Sequence, residues 1–250
     1  MSEQQRSTNI RPYPPSTGQA AQSPADGAVR TPVVEVRVLR PAQAAAAAAA
    51  LVRGFDEEPA KVALLPDAAM RRPWLETSIR GRLHEALRYG TVHVAVVGRE
   101  LAAVAVWLPP GVPKLSLRGA VRALLALLVH APAIARSVPR IISVLVRDLP
   151  GWVTLARRRR RAVACAAHGL TWRLDLLATV PEQRGQGSAR SLLERQLQRC
   201  DQDGAAAWLE TTDPVNVPIY ERFGFVTVAH IADLSWLPGL WVMRREPRTG

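Results

Sequence analysis

The chain opens its ordered pattern with an alternation. Val34, Val36 and Val38 alternate with Glu35, Arg37 and Leu39, which predicts a half-buried strand over residues 33–39. Arg40-Pro41-Ala42 ends it. Gln43 and the alanines at 44–50 then begin a helix that runs through Leu51 and Val52, because alanine is the best helix former and lets a helix lie close on a sheet. Residues 55–66 show no period and read as irregular. From about Asp67, Trp74, Leu75, Ile79, Leu83, Ala86 and Leu87 recur at helical spacing, and Gly90 closes the segment. Two strands follow, 91–97 and 101–108, joined by Gly98-Arg99-Glu100 as a tight hairpin. His93 alternates with valines and is expected to be half exposed; Trp107 is expected in the core. Leu174 to Val180 is an apolar run broken only by Asp175 and Thr179 and stopped by Pro181, the length of a buried strand. Ser191 to Leu197 places Leu192, Leu193 and Leu197 on one helix face. Residues 207–211, 226–231 and 240–244 predict three further strands.

Charge is distributed unevenly over these elements. The formal net charge is +12, yet Lys114 to Arg161 alone holds eleven basic residues and one acidic residue, Asp148. The extreme basicity therefore belongs to the long connection 112–167, and the rest of the chain is nearly neutral. Helix-like apolar pieces at 121–129 and 141–146 are broken by Pro132, Pro139 and Pro150, and Arg157 to Arg161 read as a solvated helix end. The longest uncharged run there, 123–135, is too short for a membrane span and contains Pro132. Residues 1–32 are rich in Gln, Ser, Pro and Thr, have no apolar leader core, and are expected to be disordered. Cys165 and Cys200 supply no disulfide framework, and five scattered histidines have no metal-ligand spacing. A reducing, cytoplasmic setting without a metal is the expectation.

The candidate chemistry lies between the predicted strand 174–180 and the following helix. Pro181-Glu182-Gln183-Arg184-Gly185-Gln186-Gly187-Ser188-Ala189 turns the chain from strand to helix. A strand, a Gly-containing loop and a helix N-terminus form an anion site, since the first-turn N–H groups lack intrahelical acceptors and the helix dipole favours negative charge there. Two better-known phosphate loops are excluded. No Lys provides the Gly-Lys-Ser/Thr of a Walker loop, and Gly185-Gln186-Gly187-Ser188-Ala189-Arg190 lacks the third glycine of GxGxxG.

This stretch resembles motif A of the GNAT superfamily of acyl-CoA-dependent N-acyltransferases, read here as Arg184-x-x-Gly187-x-Ala189 after a strand and a proline. A second match follows the next strand. Asn216, Tyr220, Glu221, Gly224 and Phe225 fall in register on the family's Asn, then Tyr-Glu-Arg/Lys-x-Gly-Phe. The resemblance is strong from Trp172 to Arg244, weaker from Val33 to Pro110, and absent before Pro32 and over 112–167. It implies an α/β fold with a mixed central sheet of about seven strands flanked by helices, spanning residues 33–246, with the basic helical segment 112–167 inserted between strands three and four. Residues 247–250 would form a C-terminal tail.

The resemblance also implies acetyl-CoA as acyl donor and an amine as acceptor. Arg184, Gly185, Gln186, Gly187, Ser188 and Ala189 would hold the diphosphate through backbone N–H groups, so Gln186 and Ser188 are expected to tolerate variation. Ala178, Thr179 and Val180 would lie against the pantetheine, with Thr179 standing where valine is commoner, and this strand would splay from the next to open a notch. Tyr220 matches the general acid for the leaving thiolate, beside the alternative of a tyrosine packed on Phe223 and Phe225. Asn216 would bond the CoA arm or cap the following helix. Asp175 and Glu210, strand carboxylates near the notch, are the candidate bases, beside ordered water. For the basic insert a lid over the acceptor site ranks first, peripheral membrane contact second and nucleic-acid contact last, since no aromatic interleaving supports it. A non-catalytic CoA-binding module is the alternative to an enzyme, and a homodimer is left open.

Overall fold

Hydrogen bonding joins the strands into one seven-stranded sheet, ordered β1-β2-β3-β4-β5-β7-β6. The computed structural model describes residues 33–112, 149–232 and 239–248. The strands are β1 (Val34–Val38), β2 (Thr91–Val97), β3 (Glu100–Leu108), β4 (Thr171–Thr179), β5 (Ala206–Thr211), β6 (Val226–Ile231) and β7 (Leu240–Arg245). The helices are α1 (Ala44–Phe55), α2 (Pro59–Leu64), α3 (Ala68–Tyr89), α4 (Leu149–Ala166), α5 (Ser188–Gln202) and α6 (Val217–Arg222). Neighbouring strands are antiparallel except β4 and β5, whose parallel pairing requires the crossover that α5 supplies.

The two faces of the sheet carry separate cores. Val92, Val94, Val104, Val106 and Leu176 meet Ala47, Leu51, Leu75, Ile79 and Leu83 of α1 and α3 on one face. Ala105, Trp107, Leu174 and Leu209 meet Leu192, Leu193 and Leu197 of α5 on the other. α4 lies on the first face over the remaining strands, setting Leu155, Ala162 and Ala166 against Trp208, Ile231 and Val242. The alanine run of α1 serves this packing: Gly54 sits so close to β4 that a Cβ there would lie 2.5 Å from the Ala178 Cβ.

Several sequence expectations are corrected by this arrangement. Residues 55–66 are not irregular, because Pro59 opens α2. Buried Arg71 then ties the loops on either side of α2 together, donating from Nε to the Asp56 carbonyl (2.7 Å) and from Nη1 to those of Leu65 (2.8 Å) and Pro66 (2.9 Å). Val38 is 55% exposed, since the core beneath α5 reaches Val34 and Val36 of edge strand β1 and stops there. His93 is buried rather than half exposed, because β2 is an interior strand. Burial, with the charges of Arg195 and Arg199 adding to it, lowers its imidazole to about 4, so it is neutral near pH 7. Whether Pro150 separates α4 from the preceding segment lies outside the described residues, but Arg157 to Arg161 fall inside α4 and not at its end. The strand before the loop begins at Thr171, three residues earlier than its apolar run suggests. The predicted pieces 121–129 and 141–146, and the tail 1–32, lie outside the described residues. Among the described residues no helix is long and apolar enough to cross a membrane.

The end of the chain is held, not frayed, as far as Arg248. Buried Arg245 bonds both oxygens of Asp201 (2.8 and 2.7 Å) and the Phe223 carbonyl (2.9 Å), and the Arg248 N–H donates to Asp201 (2.8 Å). The hydrogen bonds from Arg245 hold the Asp201 carboxyl below its ordinary value, outweighing burial. A depressed folded-state value stabilises the fold above the unfolded-state value and is lost as pH falls through the depressed one. Asp201→Asn should therefore cost about 1–3 kcal/mol at neutral pH. In urea melts the gap to wild type should close on acidification below about pH 4.

Candidate active site

β4 organises the site because its two edges end their pairing at different points. Its β3 edge is paired from Arg173 through Thr179. Its β5 edge is paired only from Thr171 to Leu174, opposite Ala206 to Leu209, although both strands continue. Past Leu174 the parallel strands part, opening the notch that the resemblance implied. The β3 register slips by one residue at the same place: Trp107 opposes Leu174, Val106 opposes Leu176, and Asp175 is the extra residue. The slip moves Leu176 to the α1 and α3 face while Leu174 stays on the α5 face.

The backbone of β4 beyond the slip decides what the open edge offers. The Val180 N–H donates to the Ala102 carbonyl (2.9 Å), and its own carbonyl accepts from the Gln183 N–H (3.0 Å). Its side chain is buried in the core. Val180 is thus already committed on β3 and the turn, which corrects its placement against the pantetheine. Strand alternation then turns the N–H groups of Leu177 and Thr179 toward the open side and that of Ala178 toward β3.

The loop after β4 makes one turn of 3-10 helix, Pro181–Gln183, and enters α5 through Gly187. Gly185 and Gly187 have φ of +78° and +80°, a left-handed conformation costly for other residues. A Cβ at either would meet nothing within 4 Å, so their conformation is what demands glycine. No side chain caps α5. Its first-turn N–H groups therefore stay available to an external acceptor. Arg53, at the end of α1, pairs with Glu182 at 2.5 Å and steadies the loop. Ser188 is buried, so it is not free to vary as its backbone role suggested.

A cavity of about 240 Å³ occupies the gap between the diverging strands. It takes lining residues from both faces: Arg159, Arg173 and Trp208 from the α4 side, Leu174, Leu209 and Tyr220 from the α5 side. Asp175, Glu210 and Asn216 also line it, so these three converge here with Tyr220, whereas Ala178, Thr179 and Val180 are not among its lining residues. Tyr220 packs edge-to-face on Phe225 at 5.9 Å between ring centres and also lines the cavity. Burial, with the Asp213 charge adding to it, pushes its phenol well above its ordinary value. Asn216 precedes α6 but makes no side-chain cap bond; Asp213 caps the turn before it, accepting from the Val215 N–H at 3.1 Å.

The two carboxylates are ion-paired, which their positions in the sequence do not reveal. Asp175 accepts from Arg82 Nε at 2.9 Å, and Arg82 also bonds its carbonyl at 2.7 Å. Glu210 pairs with Arg159 at 2.6 Å, so one of the five arginines expected to be solvated instead reaches the cavity. Glu58, which accepts a hydrogen bond from Thr212, pairs with Lys61 at 2.6 Å. Arg82, Arg173, Arg159 and Glu58 are the site residues the sequence reading missed. Arg173 carried a faint signal, as a second charge two residues from Asp175 in an apolar run. Among the described residues no group of three or more His, Cys, Asp or Glu is arranged for a metal.

Residues 152–237 match the model of the Acetyltransferase (GNAT) domain. An uncharacterized N-acetyltransferase of Schizosaccharomyces pombe is 38% identical over 82 residues, covering 32% of this chain and 33% of that protein. The chain thus matches about a third of that relative's length. The fold is shared with a Corynebacterium glutamicum protein described as histone acetyltransferase HPA2 and related acetyltransferase (19% identity, 87% of this chain and 98% of that one, TM-score 0.56). It is shared also with Drosophila melanogaster polyamine N-acetyltransferase (15% identity, 85% and 98%, TM-score 0.51). Over residues 152–237 the chain thus matches the GNAT acetyltransferase domain, and its fold is the one these acetyltransferases share.

Proposed function

We propose that the protein is an N-acetyltransferase that moves an acetyl group from acetyl-CoA to a primary amine. The observation that carries this reading is a convergence at the end of β4: an uncapped helix N-terminus, an unpaired strand edge, and a cavity lined by Tyr220. The residues present fit acetyl-CoA, since a diphosphate needs the free N–H groups of α5 and an amide-bearing arm needs an open strand edge. Bound there, acetyl-CoA supplies the thioester carbonyl that a neutral amine attacks and the thiolate that leaves.

The chain's own groups then have separable tasks. Residues 184–189 hold the diphosphate with backbone N–H groups and the positive end of the α5 dipole. Leu177 and Thr179 bond the arm along the open edge and aim it at the notch, which serves catalysis by orientation. Tyr220 keeps its proton because its phenol is buried, and it donates that proton at the thiolate position. Asp175 and Glu210 hold Arg82 and Arg159 in place, and the proton lost by the amine nitrogen passes to water and through it to solvent, from which Tyr220 is reprotonated. The two free cysteines favour a cytoplasmic setting.

Calorimetric titration with acetyl-CoA tests the donor site. Wild type should bind, and Gly187→Glu should lose binding, because it forces a side chain onto a φ of +80° and sets a negative charge at the helix N-terminus. Absence of wild-type binding would overturn the reading. Tyr220→Phe should lower kcat by roughly 10²-fold or more with acetyl-CoA affinity unchanged, as expected for loss of a general acid. Thiol release with excess amine measures it, and equal turnover would remove Tyr220 from that role.

A further inference from the structure

Among the described residues the cavity lining carries four cationic side chains and three carboxylates, so one positive charge is in excess, and Asp175 is shared between Arg82 and Arg173. Lys61 pairs with Glu58, Arg82 with Asp175 and Arg159 with Glu210. The fourth cation in the lining is Arg173, whose side chain is 7% exposed. Its guanidinium carbon lies over the Trp208 ring, 5.8 Å from the centroid. Its Nε and Nη2 are buried without a hydrogen-bond acceptor among the described residues. The nearest acidic oxygen, Asp175 Oδ1, is 3.4 Å from Nε, while the other oxygen of that carboxylate is held by Arg82. Burial lowers the Arg173 value below its usual range, although the nearby carboxylates oppose this. Burying a charge without full pairing is costly, so a cation held this way on a cavity wall is suited to an anion from outside.

Resting on the acetyltransferase reading above, we infer that the acceptor is an amine that also carries a carboxylate, and that Arg173 binds that carboxylate. A planar guanidinium matches a carboxylate through two parallel N–H bonds, which fixes the acceptor's orientation as well as its affinity. Packing on Trp208 holds the guanidinium in place. The same group selects against polyamines, whose second ammonium would be brought beside an incompletely paired cation.

The test uses the full chain with acetyl-CoA, scoring thiol release for matched pairs: β-alanine against ethylamine, phenylalanine against phenethylamine, with spermidine and 2-aminoethyl phosphate added. Wild type should favour each amino carboxylate over its partner by about 100-fold in kcat/KM, as a charge-assisted pair predicts. Arg173→Met should collapse that ratio toward one, mainly through KM, and Arg173→Lys should restore part of it. Preference for the plain amines or spermidine, or a ratio unmoved in Arg173→Met, overturns the inference; preference for 2-aminoethyl phosphate reassigns the anion and overturns it too. Because Met replaces an incompletely paired buried charge, its melting temperature should not fall; a fall with an unmoved ratio would make Arg173 structural. Binding of N-acetyl-β-alanine, followed by NMR in wild type and Arg173→Met, needs no turnover. Arg173-dependent binding without acetyl-CoA binding would sink the transferase reading but keep this site, and acetyl-CoA binding without it would do the reverse.

Discussion

The site depends on the loss of one strand pairing. β4 and β5 are parallel neighbours only as far as Leu174 and Leu209, and both continue beyond that point. Unpaired backbone groups inside a sheet are costly unless something else satisfies them. A strand edge left open in the middle of a seven-stranded sheet is thus a place for an extended ligand. The register slip at Asp175 belongs to the same device, because it turns the strand just where its neighbour departs.

The polar lining follows from that gap. A cavity between two strands takes side chains from both faces of the sheet, so residues carried by α2, α3, α4, β4 and β5 meet there. Their carboxylates are buried and acquire cationic partners from distant parts of the chain, as buried charges must. Asp175 draws Arg82 from α3, and Glu210 draws Arg159 from α4. The basic insert therefore reaches the site through Arg159 of α4. That contact assigns at least this part of the insert to the wall of the cavity.

Most of the fold was legible because its signals are local. The alternation at Val34 and Val36, the helical spacing of Leu75, Ile79 and Leu83, and the Gly98 turn each express a backbone period or a required φ within a few residues. The strand–loop–helix at 174–197 and the Asn216 to Phe225 pattern carried the family for the same reason. Elements failed where neighbours in space outvoted local pattern. His93 looked half exposed by alternation, but β1, β3 and α5 enclose it. Val180 looked like the end of the open edge, but Ala102 and Gln183 had claimed its backbone.

The sequence by itself determined most of the strands and helices, where the glycine-containing loop between β4 and α5 lies, and that Tyr220, Asn216, Asp175 and Glu210 are the candidates beside the notch. Periodicity, glycine at positive φ and motif spacing are properties of consecutive residues, so they can be read along the chain. Only the tertiary structure decided which charges neutralise one another. Pairing between Arg82 and Asp175 spans 93 positions and that between Arg159 and Glu210 spans 51, and no local pattern encodes either. Whether a buried arginine is spent or spare is settled by those distant partners, and Arg173 is the one left facing the cavity with its charge incompletely matched among the described residues.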